Sequence, residues 1–292
     1  MSINKPLFDT IYKKCLSIIT NSSDINIKNK QGKLCAAYKK LCKTEDHELQ
    51  EFYSVVHELR LYQYIKDLGI TVSALNDNKA GPDFITDLGY IECVSATKGL
   101  KGLPERNYLE KQLKQSMNRY VSAISRLSSV IADKAKKYGI YLKDNVINEK
   151  IPRIIAINTS IFSNEFHYKL NLDNILKILY GIGCRTMNFG HSSNGFVEER
   201  GVETYAYEEV GEKPPRNVIL PFNLFFKNEY VHISGVIVNN NAISEELEKD
   251  YFCLLLNPNA SIPINISRLQ GIKYFTLSEK DAKYIKYSWF NQ

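Results

Sequence analysis

The 292-residue chain contains no apolar run near the roughly 20 residues needed to span a bilayer. Its first residues, Met1-Ser2-Ile3-Asn4-Lys5, lack the apolar stretch of a signal peptide. A cytoplasmic protein without a membrane partner is therefore expected. The six cysteines (Cys15, Cys35, Cys42, Cys93, Cys184 and Cys253) are scattered; none forms a Cys-x-x-Cys and none has zinc-finger spacing with histidine. That argues for reduced thiols and against a disulfide framework or a structural zinc. Gly181-Ile182-Gly183-Cys184 lacks the third glycine and the preceding strand of a dinucleotide fingerprint, and reads as a turn. His191 reads as polar loop surface. No Ser/His/Asp arrangement, internal repeat or linker-like segment is legible.

What is present is an ordinary globular composition, 44% hydrophobic and 24% charged. The net charge of +6 is unevenly spread. Between Lys98 and Arg153 thirteen bases face five acids, a net +8, so the remainder of the chain is slightly acidic. A basic segment suits a polyanion such as nucleic acid; a solvated helix face is the other reading of the same charges.

The segment just before the basic window carries the chemistry: Gly81-Pro82-Asp83-Phe84-Ile85-Thr86-Asp87-Leu88-Gly89-Tyr90-Ile91-Glu92-Cys93-Val94. Two apolar runs flank a turn-like Asp87-Leu88-Gly89, which predicts a hairpin. Counting outward from the tip pairs Thr86 with Gly89, Ile85 with Tyr90 and Asp83 with Glu92; a bulge at Gly89 would shift this by one residue. Facing carboxylates about 5 Å apart repel unless a cation lies between them, and a divalent metal is the usual one.

Upstream, residues 1–48 are expected to form a helical N-terminal extension, with helical patches from Leu7 to Ile19 and from Leu34 to Leu41. Thr44-Glu45-Asp46-His47 offers start chemistry for a helix that stops at Gly69. Glu58 lies on that helix among Val55, Leu61 and Tyr62 and needs a partner. Either it pairs with Arg60 or Lys66, or it belongs to the metal site. Residues 70–75 predict a short strand. Downstream, Thr97-Lys98-Gly99 opens a loop. From Glu105 an apolar stripe (Leu109, Leu113, Met117, Tyr120, Ile124, Leu127, Ile131, Ala135, Tyr138) predicts a long helix ending at Gly139. Lys134 falls on that stripe, where lysine is rare without an acid to meet or a reaction to serve. Further on, residues 154–158 predict a buried strand, 172–180 a helix, 181–211 an irregular loop, and 218–226, 231–238 and 252–256 later strands.

In order, then, a helix glutamate, an aspartate after Gly-Pro, a strand glutamate and a basic helix fit metal-dependent phosphodiester cleavage. Asp83, Glu92 and the Cys93 carbonyl would hold Mg²⁺, with Mn²⁺ as substitute, and Glu58 would bind a metal-held water or a second ion. This constellation resembles the PD-(D/E)XK nuclease superfamily, in Glu58, Pro82-Asp83, Glu92 after an eight-residue gap, and the basic segment from Arg126 to Tyr138. The resemblance covers roughly residues 50–140. It implies an α/β, restriction-endonuclease-like fold over 49–292, with a mixed central sheet flanked by helices. It further implies a Mg²⁺-dependent nuclease acting on DNA, with Glu58, Asp83, Glu92 and a lysine as catalytic residues and Arg126, Lys137 and Lys98 on nucleic acid. The superfamily's lysine two residues beyond the strand glutamate would fall at Val94 and is missing. Members can move it to a neighbouring helix, where Lys134 is the first candidate, ahead of Lys98 and Lys137. Alternatives on the same fold are a catalytically inactive nucleic-acid-binding module and a protein-interaction factor. A two-fold dimer would suit cutting both strands of a duplex, though no residue pattern specifies one.

Overall fold

The computed structural model describes residues 5–42, 49–74, 81–96, 109–159, 169–182, 202–207, 216–239, 252–280 and 285–290. Three helices come first: α1 (Lys5–Asn21), α2 (Ile25–Leu41) and α3 (Leu49–Asp67). Then follow β1 (Val72–Ala74), β2 (Phe84–Thr86), β3 (Gly89–Ser95), α4 (Leu109–Lys143), β4 (Arg153–Asn158) and α5 (Lys169–Tyr180). The remaining strands are β5 (Val202–Tyr207), β6 (Arg216–Pro221), β7 (Gly235–Asn239), β8 (Phe252–Leu256), β9 (Tyr274–Lys280) and β10 (Ile285–Phe290). Eight strands form one mixed sheet in the order β1-β2-β3-β4-β7-β8-β9-β10, and β5 and β6 pair separately. The β3-β4, β4-β7 and β8-β9 pairs are parallel; the other pairs are antiparallel.

The central strands are apolar without alternation because helices cover both faces. Along β4, Ile154 and Ala156 enter one core with α1, α2 and α3, whereas Ile155 and Ile157 enter a second with α4 and α5. On β3, Ile91 and Cys93 join the first core, and Tyr90 and the partly buried Val94 the second. The even-numbered residues of β3, Glu92 among them, therefore face α4. The helical extension expected over 1–48 shares the core of α3 and the sheet, and the expected boundary after residue 48 lies outside the described residues.

Helix ends follow local chemistry. Asp24 caps α2 by accepting the Asn26 N–H at 2.8 Å, so that helix starts at Ile25, well before the expected Leu34. Gly69, at φ 76°, ends α3 as expected: its N–H bonds the Lys66 carbonyl and that of Ile70 bonds the Ile65 carbonyl. Gly139 does not end α4. Buried Tyr141 carries the stripe onward, and Asn145 at φ 55° makes the same kind of cap after Lys143. Two other expectations need correction. The run 218–226 leaves the strand at Pro221, and left-handed Asn223 turns it into a 3-10 turn over Leu224–Phe226. The run 231–238 enters its strand only at Gly235, because residues 228–230 form another 3-10 turn.

Candidate metal and catalytic site

The hairpin is set by its tip. The Thr86 hydroxyl oxygen accepts the N–H groups of Leu88 and Gly89, both at 3.1 Å, and donates to the Gly89 carbonyl at 2.8 Å. Gly89 sits at φ 138°, and a Cβ there would lie 2.3 Å from the Pro152 carbonyl oxygen, so only glycine fits. The register is Thr86 with Gly89, Ile85 with Tyr90 and Phe84 with Ile91, with no bulge at Gly89. The expected Asp83–Glu92 pair falls just outside this ladder, which stops at Phe84, although the Asp83 carboxyl feels the Glu92 charge.

β2 ends at Phe84, so β3 continues past its antiparallel partner. The N–H groups of Tyr90 and Ala96 bond the carbonyls of Pro152 and Asn158, on the β4 side. Cys93, out of phase with both, points its N–H the other way, to Asp83 Oδ2 at 2.7 Å. An extended residue turns its N–H and C=O to the same side, so the Cys93 carbonyl also points past the end of β2, beside Asp83. Burial pushes the Cys93 thiol well above its usual range, and nearby Asp83, Glu58 and Glu92 push it further. Its contribution to the site is the carbonyl.

Glu92 is 1% exposed and faces α4. Lys134 Nζ donates to its Oε1 at 2.6 Å, and Lys137 donates to the same oxygen. Among the described residues, its Oε2 is buried with no hydrogen-bond partner. The Lys137 ammonium also lies 5.4 Å from the Tyr141 ring centroid. Burial lowers Lys137, but hydrogen bonds to Glu92 and Tyr141 outweigh it and raise its pKa. Two tyrosines hold α4 against the hairpin: Tyr141 donates to the Gly81 carbonyl at 2.7 Å, and the Tyr138 hydroxyl is shared between the carbonyls of Tyr90 and Ile154.

Glu58 reaches the acids from the other helical layer. Its partner is Lys30 of α2, with Nζ to Oε2 at 2.6 Å, and neither Arg60 nor Lys66. Arg60 is buried beside Cys15, and Lys66 lies over the Tyr62 ring. Burial raises the Glu58 pKa, opposed by Lys30 and aided by Asp83. Burial likewise raises Asp83, and Glu92 adds to it, against the Cys93 N–H, Lys134 and Lys30. Ser54, His57, Glu58, Cys93, Val94, Ser95 and Lys134 line a cavity of about 220 Å³ here. His57 is fully buried; its Nε2 lies 3.2 Å from the Ala156 carbonyl and its Nδ1 3.3 Å from the Asn239 amide nitrogen.

The structure thus brings Glu58, Asp83, Glu92, Cys93, Lys134 and Lys137 together. Arg126 is half-buried on α4, about two turns before Lys134. Lys98 and His191 lie outside the described residues. Lys30 was missed, although Ile27, Lys30, Leu34, Ala37 and Leu41 form one buried stripe of α2; a lysine on an apolar stripe is the signal that singles out Lys134.

The donor set fits an oxygen-loving cation. Among the described residues no group of three or more His, Cys, Asp or Glu side chains is placed to hold a metal ion. Two carboxylates and a carbonyl nonetheless suit Mg²⁺, which keeps several waters and binds few protein ligands. Glu92 Oε2 is, among the described residues, a buried acceptor without a hydrogen-bond partner. Compared with protein-family models, with curated proteins and with solved structures, the chain matches none. Among the described residues no helix is long and apolar enough to cross a membrane.

Proposed function

We propose that the protein is a Mg²⁺-dependent nuclease that hydrolyses phosphodiester bonds in DNA on a restriction-endonuclease-like fold. The observation that carries this reading is Glu92: a carboxylate with one oxygen held by two lysines and the other, among the described residues, buried and unpaired, within electrostatic reach of Asp83. Asp83, Glu92 and the Cys93 carbonyl would hold the ion. Bound there, Mg²⁺ would polarise the scissile phosphate and lower the pKa of a coordinated water.

The chain's own groups do the rest. Lys134 and Lys137 place two ammonium groups against Glu92, both on α4 and at least partly open to solvent. Either can turn from the carboxylate toward a phosphate oxygen and stabilise charge that develops during hydrolysis. Losing one such donor typically costs about 10²–10³ in rate. Lys134 and Glu58 both line the cavity; Lys134 would orient the attacking water and Glu58 would accept a hydrogen bond from it. Lys136 and Lys143 are exposed on the side of the same helix turned away from Lys134, and add to the basic charge of the protein.

The test is incubation of supercoiled plasmid with the protein and Mg²⁺ or Mn²⁺. Nicked and linear products are expected, lost on chelation and in Asp83→Ala. Absence of cleavage with either ion, or undiminished cleavage by Asp83→Ala, refutes the enzyme. Salt-sensitive DNA binding without cleavage would instead identify a binding module on the same fold.

A further inference from the structure

A helix from each face of the sheet brings lysines to the three acids. On one face α4 supplies Lys134 and Lys137, both bonded to Glu92. On the other, α2 supplies Lys30, whose ammonium lies 2.6 Å from Glu58 and whose charge also acts on Asp83. Lys33 follows Lys30 by three residues, as Lys137 follows Lys134, so the members of each pair are neighbours on their helix surface. Lys33 is exposed, and its charge too acts on Glu58, opposing the rise that burial gives that carboxyl. Each helix thus presents an inner lysine paired with an acid and an outer lysine one turn along, nearer solvent. Glu58 and Lys134 line one cavity, so the two layers meet at the site.

The charge of the chain is divided in the same way. From Lys5 to Leu41 it holds eight lysines against two aspartates, and α2 itself contains no acid. This is a second basic segment beside the one from Lys98 to Arg153, and the acids of the site lie in the stretch between the two. A nucleic-acid strand carries phosphates on both sides of a scissile bond, and a basic wall on each side of the acids meets both flanks. We infer that α2 forms the second wall of a nucleic-acid groove, in which phosphates on one side of the scissile bond contact Lys33 and those on the other contact Lys137 of α4. This inference rests on the proposed nuclease, and it makes the N-terminal helices part of the substrate site.

Fluorescence anisotropy of a labelled DNA duplex with the full chain, in Ca²⁺ instead of Mg²⁺ and over a series of salt concentrations, tests it. Lys33→Glu is expected to weaken binding at least about tenfold; Lys33→Ala, by about threefold, with the slope of log affinity against log salt reduced by about one, as for a lost phosphate contact. Lys33→Arg, which keeps the cation, should bind as the wild type does. Lys150→Glu makes the same change of charge on an exposed residue three positions before Arg153, which pairs with Tyr90 at the other end of β3. It is expected to alter binding by less than about threefold, the effect of net charge alone. Binding by Lys33→Glu like that of the wild type, an unchanged slope in Lys33→Ala, or an equal loss in Lys150→Glu overturns the inference. A wild type that binds no DNA even at low salt is a different failure, which removes the nuclease reading on which the groove rests.

Discussion

Glu92 allows the electrostatics of the site to be tested without any assay of activity. Its carboxylate is 1% exposed and receives two ammonium groups on one oxygen. Removing Lys137 takes away a group that is 43% exposed, whose attraction is screened by water, and leaves Lys134 in place. A loss of about 0.5–1 kcal/mol is expected, near the range of surface pairs. Removing Lys134, 20% exposed, costs more, about 1–2 kcal/mol, but Lys137 still compensates the charge. Removing both leaves a buried carboxylate with no cation, and breaking a buried pair outright costs about 3–5 kcal/mol. The cycle of Lys134→Ala, Lys137→Ala and the double variant should therefore be non-additive, the double loss exceeding the sum by about 1–2 kcal/mol. Urea unfolding is the suitable measurement, because guanidinium salts would screen the effect. Saturating Mg²⁺ should narrow the gap, since an ion on Asp83 and Glu92 stabilises the double variant most. Additivity within about 0.5 kcal/mol would refute the reasoning, because it would mean that Glu92 does not depend on the two lysines jointly.

Two further outcomes are expected. Burial holds His57 at a pKa of about 4, against 6.5 in the unfolded chain. Below pH 6.5 the unfolded state therefore takes up a proton that the native state refuses. The stability of the wild type relative to His57→Gln should fall by about 2 kcal/mol between pH 7 and pH 5, and a difference that does not change with pH would refute the assignment. Val94 lines the cavity on the face of β3 that carries Glu92. Val94→Lys in a Lys134→Ala background should recover at least about tenfold of the lost cleavage rate; no recovery with Mn²⁺ binding intact would remove Lys134 from the chemistry.

Much of this geometry is legible because it is local. The tip of the β2-β3 hairpin depends on Thr86, Asp87, Leu88 and Gly89, and simple counting yields the register that the structure adopts. The stripe of α4 persists over enough turns that Lys134 can be placed on it from spacing alone. What escaped depended on distant packing or on broken patterns. Leu224–Phe226 and the approach to β7 are apolar and β-branched, yet 3-10 turns interrupt both. The β9-β10 pairing has a register shift between Lys286 and Tyr287, which breaks the alternation by which an edge hairpin is recognised. β5 lies in a polar, glycine-rich stretch that reads as loop. Local spacing points Glu58 to its helical neighbours Arg60 and Lys66, but its partner Lys30 lies 28 positions earlier in the chain.

The absence of a lysine at position 94 then has a physical account in the proposed chemistry. Successive strand residues alternate faces, so positions 92 and 94 both look toward α4. A lysine at 94 and a lysine on α4 would reach the same space from opposite walls. The requirement is an ammonium in that space, and either wall can supply it. The two solutions differ in what they depend on. A lysine on the strand would be fixed by the strand itself, whereas Lys134 reaches Glu92 only while α4 keeps its seat on the sheet. That seat is fixed by buried Tyr138, whose hydroxyl bridges the carbonyls of Tyr90 on β3 and Ile154 on β4, and by Tyr141, which bonds Gly81 immediately before Pro82-Asp83. The same two tyrosines therefore set the distance from Lys134 to Glu92 and anchor the segment that delivers Asp83. In this chain the ammonium and the acids are positioned together by the packing of one long helix, and a change at that contact should disturb both at once.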